Sequence, residues 1–318
     1  MRPEMRQGYQ TRLPPSRALL VLLASLVGLV AGCSAAFRSA TPIERRTAIA
    51  SAADGTEIYY EVSGSGPAVV LIHGLGGNHA VWFQQVPALA RQYTVVTLSQ
   101  RGFAPSGGPR DRYDVAVLVA DLVAVMDAAR VPRAHVVGQS MGGWTALGLA
   151  LRHPERVSSL VLADTVAGIS DPAIAAHHAS MIERARRIAA APPPLGVHPA
   201  LDGEFSAREP DRAYLYQALA SFGAPSAGEI AEQLAAATFD QASLATNRVP
   251  ALFIVGERDP VFPVTIVERA AAELARSRVI VMPGAGHSPY FEQPRAWNRI
   301  VTRFFEESPE HPGRAARR

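Results

Sequence analysis

The stretch Gly138-Gln139-Ser140-Met141-Gly142 sets a serine hydroxyl between two glycines, directly after the β-rich run His135–Val137 and before an apolar, helix-forming segment, Trp144–Leu151. Strand, sharp turn and helix in immediate succession bring backbones where a Cβ would collide, so the glycines permit the turn and Ser140 is presented at its apex. A serine hydroxyl is a weak nucleophile at neutral pH and needs a base within about 3 Å, itself oriented by a carboxylate. Two later loops carry such groups. Gly256-Glu257-Arg258-Asp259 follows the expected strand Ala251–Val255, and Gly284-Ala285-Gly286-His287 follows the expected strand Arg278–Met282. Both fall at C-terminal strand ends, where open parallel sheets gather their sites. Acyl transfer also places charge on an oxygen, and the Met141 amide, at the start of the helix after Ser140, is positioned to donate to it.

The elements that must position these groups follow from the hydropathy pattern. Thr47–Ser51 and Glu57–Val62 alternate as two antiparallel strands across an Asp54-Gly55 turn. Ala68–Ile72 and Val157–Ala163 are continuous apolar runs, the mark of strands buried on both faces. Helices are expected over about 79–91, from Asp114 onward, over about 264–275 and over 294–306, and a further strand over 93–98. The expected fold is α/β: a mostly parallel sheet of about eight strands with helices on both faces. From residue 164 to 249 the alternation stops and the chain becomes Ala-rich and helical (172–190, 212–222, 227–237), which reads as an inserted helical cap between core segments 47–163 and 250–306.

Serine, then acid, then histidine, each after its own strand, resembles the α/β-hydrolase family, and the resemblance spans about Thr47 to Phe305. It implies a triad of Ser140, Asp259 and His287, and an oxyanion hole from the amides of Leu75, in His73-Gly74-Leu75-Gly76, and Met141. His73 itself reads as a structural hydrogen-bonder of that loop. Some family members take the orienting acid from the end of the strand before the cap, which makes Asp164 the alternative. Relatives often carry Asp-x-Arg-Gly-x-Gly-x-Ser after the fourth strand; here Ser99-Gln100-Arg101-Gly102-Phe103-Ala104-Pro105-Ser106 lacks the aspartate and second glycine, which leaves the loop's conformation near the pocket open.

The resemblance implies a serine esterase-like hydrolase of small-molecule ester or acyl substrates that needs no cofactor. Lactone or enol-lactone hydrolysis and carbon–carbon bond hydrolysis use the same triad, and a non-catalytic binding protein on the same framework is the reading from another class. Trp144 and Phe222 are the expected substrate-binding residues, with Tyr214, Tyr216 and Met181 as further apolar candidates. His177, His178 and His198 lack the Cys or carboxylate spacing of a metal site and are expected to be packed or solvent-facing, so no metal is expected.

Composition limits the partners. Apolar residues make up 48% of 318 and charged residues 19%, enough for a sizeable core. All 31 basic residues are arginines, which excludes Schiff-base chemistry on lysine. The formal charge of +3 is carried by residues 1–32, where Arg2, Arg6, Arg12 and Arg17 face Glu4; the rest is neutral, and nucleic acid is not an expected partner. The apolar run 18–31 is short for a membrane span and suits a signal peptide, residues 1–32. Leu29-Val30-Ala31-Gly32-Cys33 looks like the lipobox of bacterial lipoproteins, which implies lipidation at Cys33 and an exported protein held at the cell envelope by its lipidated N-terminus. Ser34 resembles the signal for an outer membrane. An ordinary signal peptide cut near Ala36 and an uncleaved anchor are the alternatives. Residues 33–46 then read as a tether and 307–318 as a charged tail.

Overall fold

The computed structural model describes residues 42–109, 112–190, 193–222 and 227–308. The signal-like segment and Cys33 lie outside them, as does the tail beyond Ser308. Among the described residues no helix is long and apolar enough to cross a membrane.

Eight strands form one sheet in the order β1-β2-β4-β3-β5-β6-β7-β8. They are β1 (Arg45–Ser51), β2 (Glu57–Ser63), β3 (Ala68–Ile72), β4 (Thr94–Leu98), β5 (Ala134–Gln139), β6 (Val157–Ala163), β7 (Ala251–Gly256) and β8 (Ser277–Met282). The first two pair antiparallel, β2 pairs antiparallel with β4, and every later pairing is parallel. Continuous apolar sequence marks the centre: every residue of β5 and β7 is buried, whereas edge strand β8 is only partly covered. β1 begins at Arg45, so the last two residues of the expected tether belong to the sheet. Arg45 is held there by Glu61 across the strand pair, Nε to Oε2 at 2.9 Å.

The helices are α1 (Val86–Leu89), α2 (Val115–Ala128), α3 (Gly142–Arg152), α4 (Pro172–Ala190), α5 (Gly203–Arg208), α6 (Pro210–Ala220), α7 (Ala227–Ala236), α8 (Gln241–Thr246), α9 (Val264–Ala272), α10 (Pro289–Glu292) and α11 (Pro294–Glu307). Asp114 caps α2, its Oδ1 accepting from Ala116 N. The helix expected over 79–91 is instead a short 3₁₀ turn, His79–Trp82, followed by α1. Pro87 explains the break: it has no N–H to donate, and its ring crowds the carbonyl four residues back.

Two clusters of apolar side chains cover the two faces of the sheet. One gathers α2, α3 and α9 against residues such as Val70, Val136 and Phe253; the other gathers Trp82, Trp297, Phe291 and Phe305 against Leu71, Val137 and Ile254. Alternate residues of one strand therefore enter opposite cores. Between β6 and β7 the described residues form helices only, α4 to α8, as the loss of alternation implied. Two of these, α5 and α8, are short and escape the periodicity; Asp202 and Asp240 cap them through Phe205 N and Ser243 N.

Candidate active site

Ser140 ends β5 in a left-handed conformation, φ 49°, which costs a residue with a Cβ and persists because its neighbours leave no alternative. A Cβ on Gly138 would stand 2.4 Å from Gly142 O, and one on Gly142 would stand 2.5 Å from Ile72 O. The glycine pattern is therefore a demand of backbone contact. Tyr113 fixes the turn from the side, its hydroxyl donating to Met141 O at 2.8 Å.

The three distant side chains converge. His287 Nε2 lies 2.9 Å from Ser140 Oγ, and His287 Nδ1 lies 2.9 Å from Asp259 Oδ2. A carboxylate only accepts, so Nδ1 carries the proton and Nε2 is free to accept from the serine hydroxyl. Asp259 is held in turn by the Val261 and Phe262 amides, which donate to Oδ1 at 2.7 and 3.0 Å. Asp259 and His287 are both buried, so water competes poorly for this chain of hydrogen bonds.

Asp164 lies near the imidazole but makes no hydrogen bond to it; Asp259 does. It ends β6 at φ 50°, fully buried, and accepts from Gly256 N at 2.9 Å. Burial, and then the Asp259 carboxylate beside it, push its pKa well above the usual carboxylate range. Asp164, Asp259 and His287 also form the one cluster of metal-type ligands found among the described residues, their donor atoms within 4.8 Å of one another. The hydrogen bond from His287 to Asp259 uses the facing atoms of two of them, and burial with the neighbouring carboxylate favours the neutral form of the third.

The loop of residues 73–76 approaches closely because Gly74 has no side chain; a Cβ there would stand 2.3 Å from Gln139 Oε1. Leu75 and Met141 border the same cavity as Ser140, and among the described residues neither amide has a protein acceptor. His73 is structural: its Nε2 accepts from Gln100 N at 2.9 Å and its Nδ1 donates to Gly74 O at 2.8 Å, joining the loops after β3 and β4. Burial lowers its pKa to about 4, so the ring stays neutral. The unusual loop after β4 is closed by its own residues. Gln100 Nε2 donates to His73 O, and the Arg101 guanidinium bridges Asp121 and Asp54.

The cavity above Ser140 encloses about 350 Å³ and is walled by Leu75, Met141, Trp144, Met181, Leu234 and Phe262 among others. Trp144 is therefore a wall residue; its indole N–H donates to Leu234 O and Ala237 O, leaving the ring as an apolar surface. Phe222 is not. It is 55% exposed and outside the cavity, as is Tyr214 at 52%. On α6 the residues Tyr216 and Ala220, four apart, face the cavity and Tyr214, two from Tyr216, points to the opposite side, while Phe222 lies beyond the helix, which ends at Ala220.

Some contributors carried no recognisable sequence signal. Glu292 receives Gly286 N at 3.0 and 3.1 Å and Ser288 N at 3.4 Å, clasping the amides of the two residues that flank His287. Burial raises its pKa to about 7. Gln139 Nε2 donates to His287 O at 3.1 Å. Of the cap histidines, His177 Nε2 reaches Val261 O at 2.6 Å, His178 is buried with neither nitrogen paired among the described residues, and His198 joins the cavity wall.

A strand-end serine, imidazole and carboxylate beneath a helical insert define a hydrolase, and the chain belongs to the α/β-hydrolase fold family, whose model matches residues 67–294. Among similar proteins, an uncharacterized Mycobacterium tuberculosis protein is 30% identical over 271 residues, 78% of this chain and 77% of that one. 3-Oxoadipate enol-lactonase 2 of Acinetobacter baylyi is 28% identical over 235 residues, covering 74% of this chain and 87% of the enzyme. The crystal structure of a Rhodococcus esterase superposes with a TM-score of 0.68 at 27% identity, covering 82% of this chain and 99% of the esterase.

Proposed function

We propose that the protein hydrolyses carboxylic esters, open-chain or cyclic, through an acyl-enzyme on Ser140. The observation that carries this reading is the pair of 2.9 Å contacts, Ser140 to His287 and His287 to Asp259, on the floor of a largely apolar cavity. Ser140 Oγ attacks the carbonyl carbon while His287 Nε2 takes its proton, and the doubly protonated ring is balanced by Asp259. The carbonyl oxygen, now negative, is met by the amides of Leu75 and Met141. His287 then gives its proton to the departing alcohol oxygen. Water attacks the acyl carbon in the second half, giving its proton to His287; the tetrahedral intermediate then collapses, its bond to Ser140 Oγ breaks as His287 returns the proton to that oxygen, and the acid is released.

The similarity to an esterase and to an enol-lactonase supports an ester bond as the one broken. The cavity suits a small substrate with a short hydrocarbon part, since its walls are mostly apolar and its volume lies near the lower end for ligand sites. The reading is tested with 4-nitrophenyl butyrate. Wild-type protein is expected to turn it over, and Ser140→Ala to lose about 10⁴-fold or more in kcat. Equal rates for the two proteins, after subtracting spontaneous hydrolysis, would sink the proposal.

A further inference from the structure

The cavity wall holds a half-buried imidazole that the proton relay leaves unused. His198 lies between α4 and α5, its ring edge-on to Tyr216 with centroids 4.8 Å apart. It also stands over the loop of residues 73–76, with Cε1 3.9 Å from the point a Cβ on Gly76 would occupy. Ala200 N donates to its Nδ1 at 3.1 Å. An imidazole nitrogen that accepts carries no proton, so the N–H is on Nε2. Among the described residues Nε2 has no protein partner, and the ring borders the cavity.

Other polar groups of the wall are already engaged. Tyr216 pairs its hydroxyl with Ser288 Oγ at 2.8 Å, and Gln139 donates to His287 O. Arg184 is at the exposed mouth, where Nη1 donates to Pro260 O at 2.7 Å. His198 thus offers an unspent donor inside a mostly apolar chamber. A group of that kind discriminates strongly, because a substrate lacking the matching acceptor leaves the donor dry and unpaired. Burial, and then the nearby His287, lower the pKa of His198 to about 4, so near neutral pH the donor is uncharged. A neutral N–H suits a neutral oxygen and does not balance the charge of a buried anion.

We infer that His198 is a substrate-positioning residue whose Nε2–H receives a neutral oxygen acceptor carried beside the scissile ester, so the favoured substrates are oxygenated esters or lactones over plain aliphatic esters. The inference rests on the ester-hydrolase reading above. It concerns which ester is held, and not how the bond breaks.

The test uses two matched pairs in which one CH₂ is replaced by oxygen. On the acyl side they are 4-nitrophenyl butyrate and 4-nitrophenyl methoxyacetate; on the alcohol side, butyl acetate and 2-methoxyethyl acetate, followed by acid release. Within each pair the ratio of kcat/KM, oxygenated over plain, is compared between wild type and variant, which cancels intrinsic reactivity and any general loss of folded protein. His198→Ala is expected to lower that ratio about three- to tenfold in at least one pair, the worth of one hydrogen bond. His198→Gln, which returns an N–H at similar reach, is expected to recover most of it. An unchanged ratio in both pairs for His198→Ala, or a loss that Gln does not recover, overturns the inference while leaving the hydrolase reading intact. A wild-type protein inert toward all four esters removes both.

Discussion

The strand-end loops of the sheet and the helical cap meet at one cavity but are built by different rules. In the loops, backbone atoms decide: the Ser140 turn, the Asp259 amides and the Glu292 clasp leave each reacting atom a single place. The cap is looser. It exposes Leu195, Val197, Tyr214, Leu215 and Phe222, and it buries His178 without a hydrogen-bond partner among the described residues. Chemistry resides where position is fixed by main chain, and choice of substrate resides where side chains can be exchanged at little cost to the fold.

The sharpest break of this contrast is a pair of glycine substitutions. Gly138→Ala sets a Cβ against a backbone carbonyl at the nucleophile turn and is expected to cost more than about 4 kcal/mol, or to prevent folding. Gly203→Ala, at the start of cap helix α5, meets nothing within 4 Å and is expected to stabilise by about 0.4–1 kcal/mol. Urea unfolding of the two variants measures both. A mild effect at Gly138 would show that the elbow can relax.

Acidification probes the contrast less severely. His73 in the core, and His178 and His198 in the cap, each have a pKa lowered to about 4, with burial as the largest cause. The unfolded rings take up protons below about pH 6.5, the folded rings only near pH 4. The unfolded state therefore binds more protons between those values, and stability falls as pH falls through that window. His178→Phe, in a site lined by Trp144 and Phe262, is expected to reduce the loss between pH 7 and pH 4.5 by about 2 kcal/mol. Unfolding curves at the two pH values check it; parallel losses in variant and wild type would mean that His178 is not held neutral.

The smallest expected effect is at the cap surface. Phe222→Ala is expected to change kcat/KM for 4-nitrophenyl butyrate by less than about twofold, because the ring lies outside the cavity. A larger loss would show that the cap closes over the ester in a conformation different from this one.

What could be read from sequence divides along the same line. Loops that present Ser140, Asp259 and His287 need glycine, or a residue that accepts a sharp turn, at fixed offsets from buried strands, and such demands leave marks in the sequence. Asn78 and Pro87 left marks too: Asn78 caps the 3₁₀ turn, and Pro87, with Gln84 and Gln85 before it, falls where that turn gives way to α1. α5 and α8 are too short for periodicity, although Asp202 and Asp240, each accepting an amide three residues on, were usable start signals. Phe222 was expected in the cavity for its aromatic character alone, and its position past the last turn of α6 decides otherwise. Glu292 and His198 were not legible: Glu292 binds amides four and six residues back through a turn that no hydropathy period marks, and His198 meets Tyr216 and the Gly76 loop from other parts of the chain.

Trp144 serves two ends at once. Its ring, one turn of helix past Ser140, is a wall of the chamber, and its indole N–H is fastened to the carbonyls of Leu234 and Ala237 in the cap. The roof is thus bolted to the very helix whose first turn faces the reacting oxygen. Reshaping this wall by shortening the tryptophan would unfasten that bolt, so room for bulkier guests is better sought at Met181 or Ala231, which border the chamber without joining its two halves.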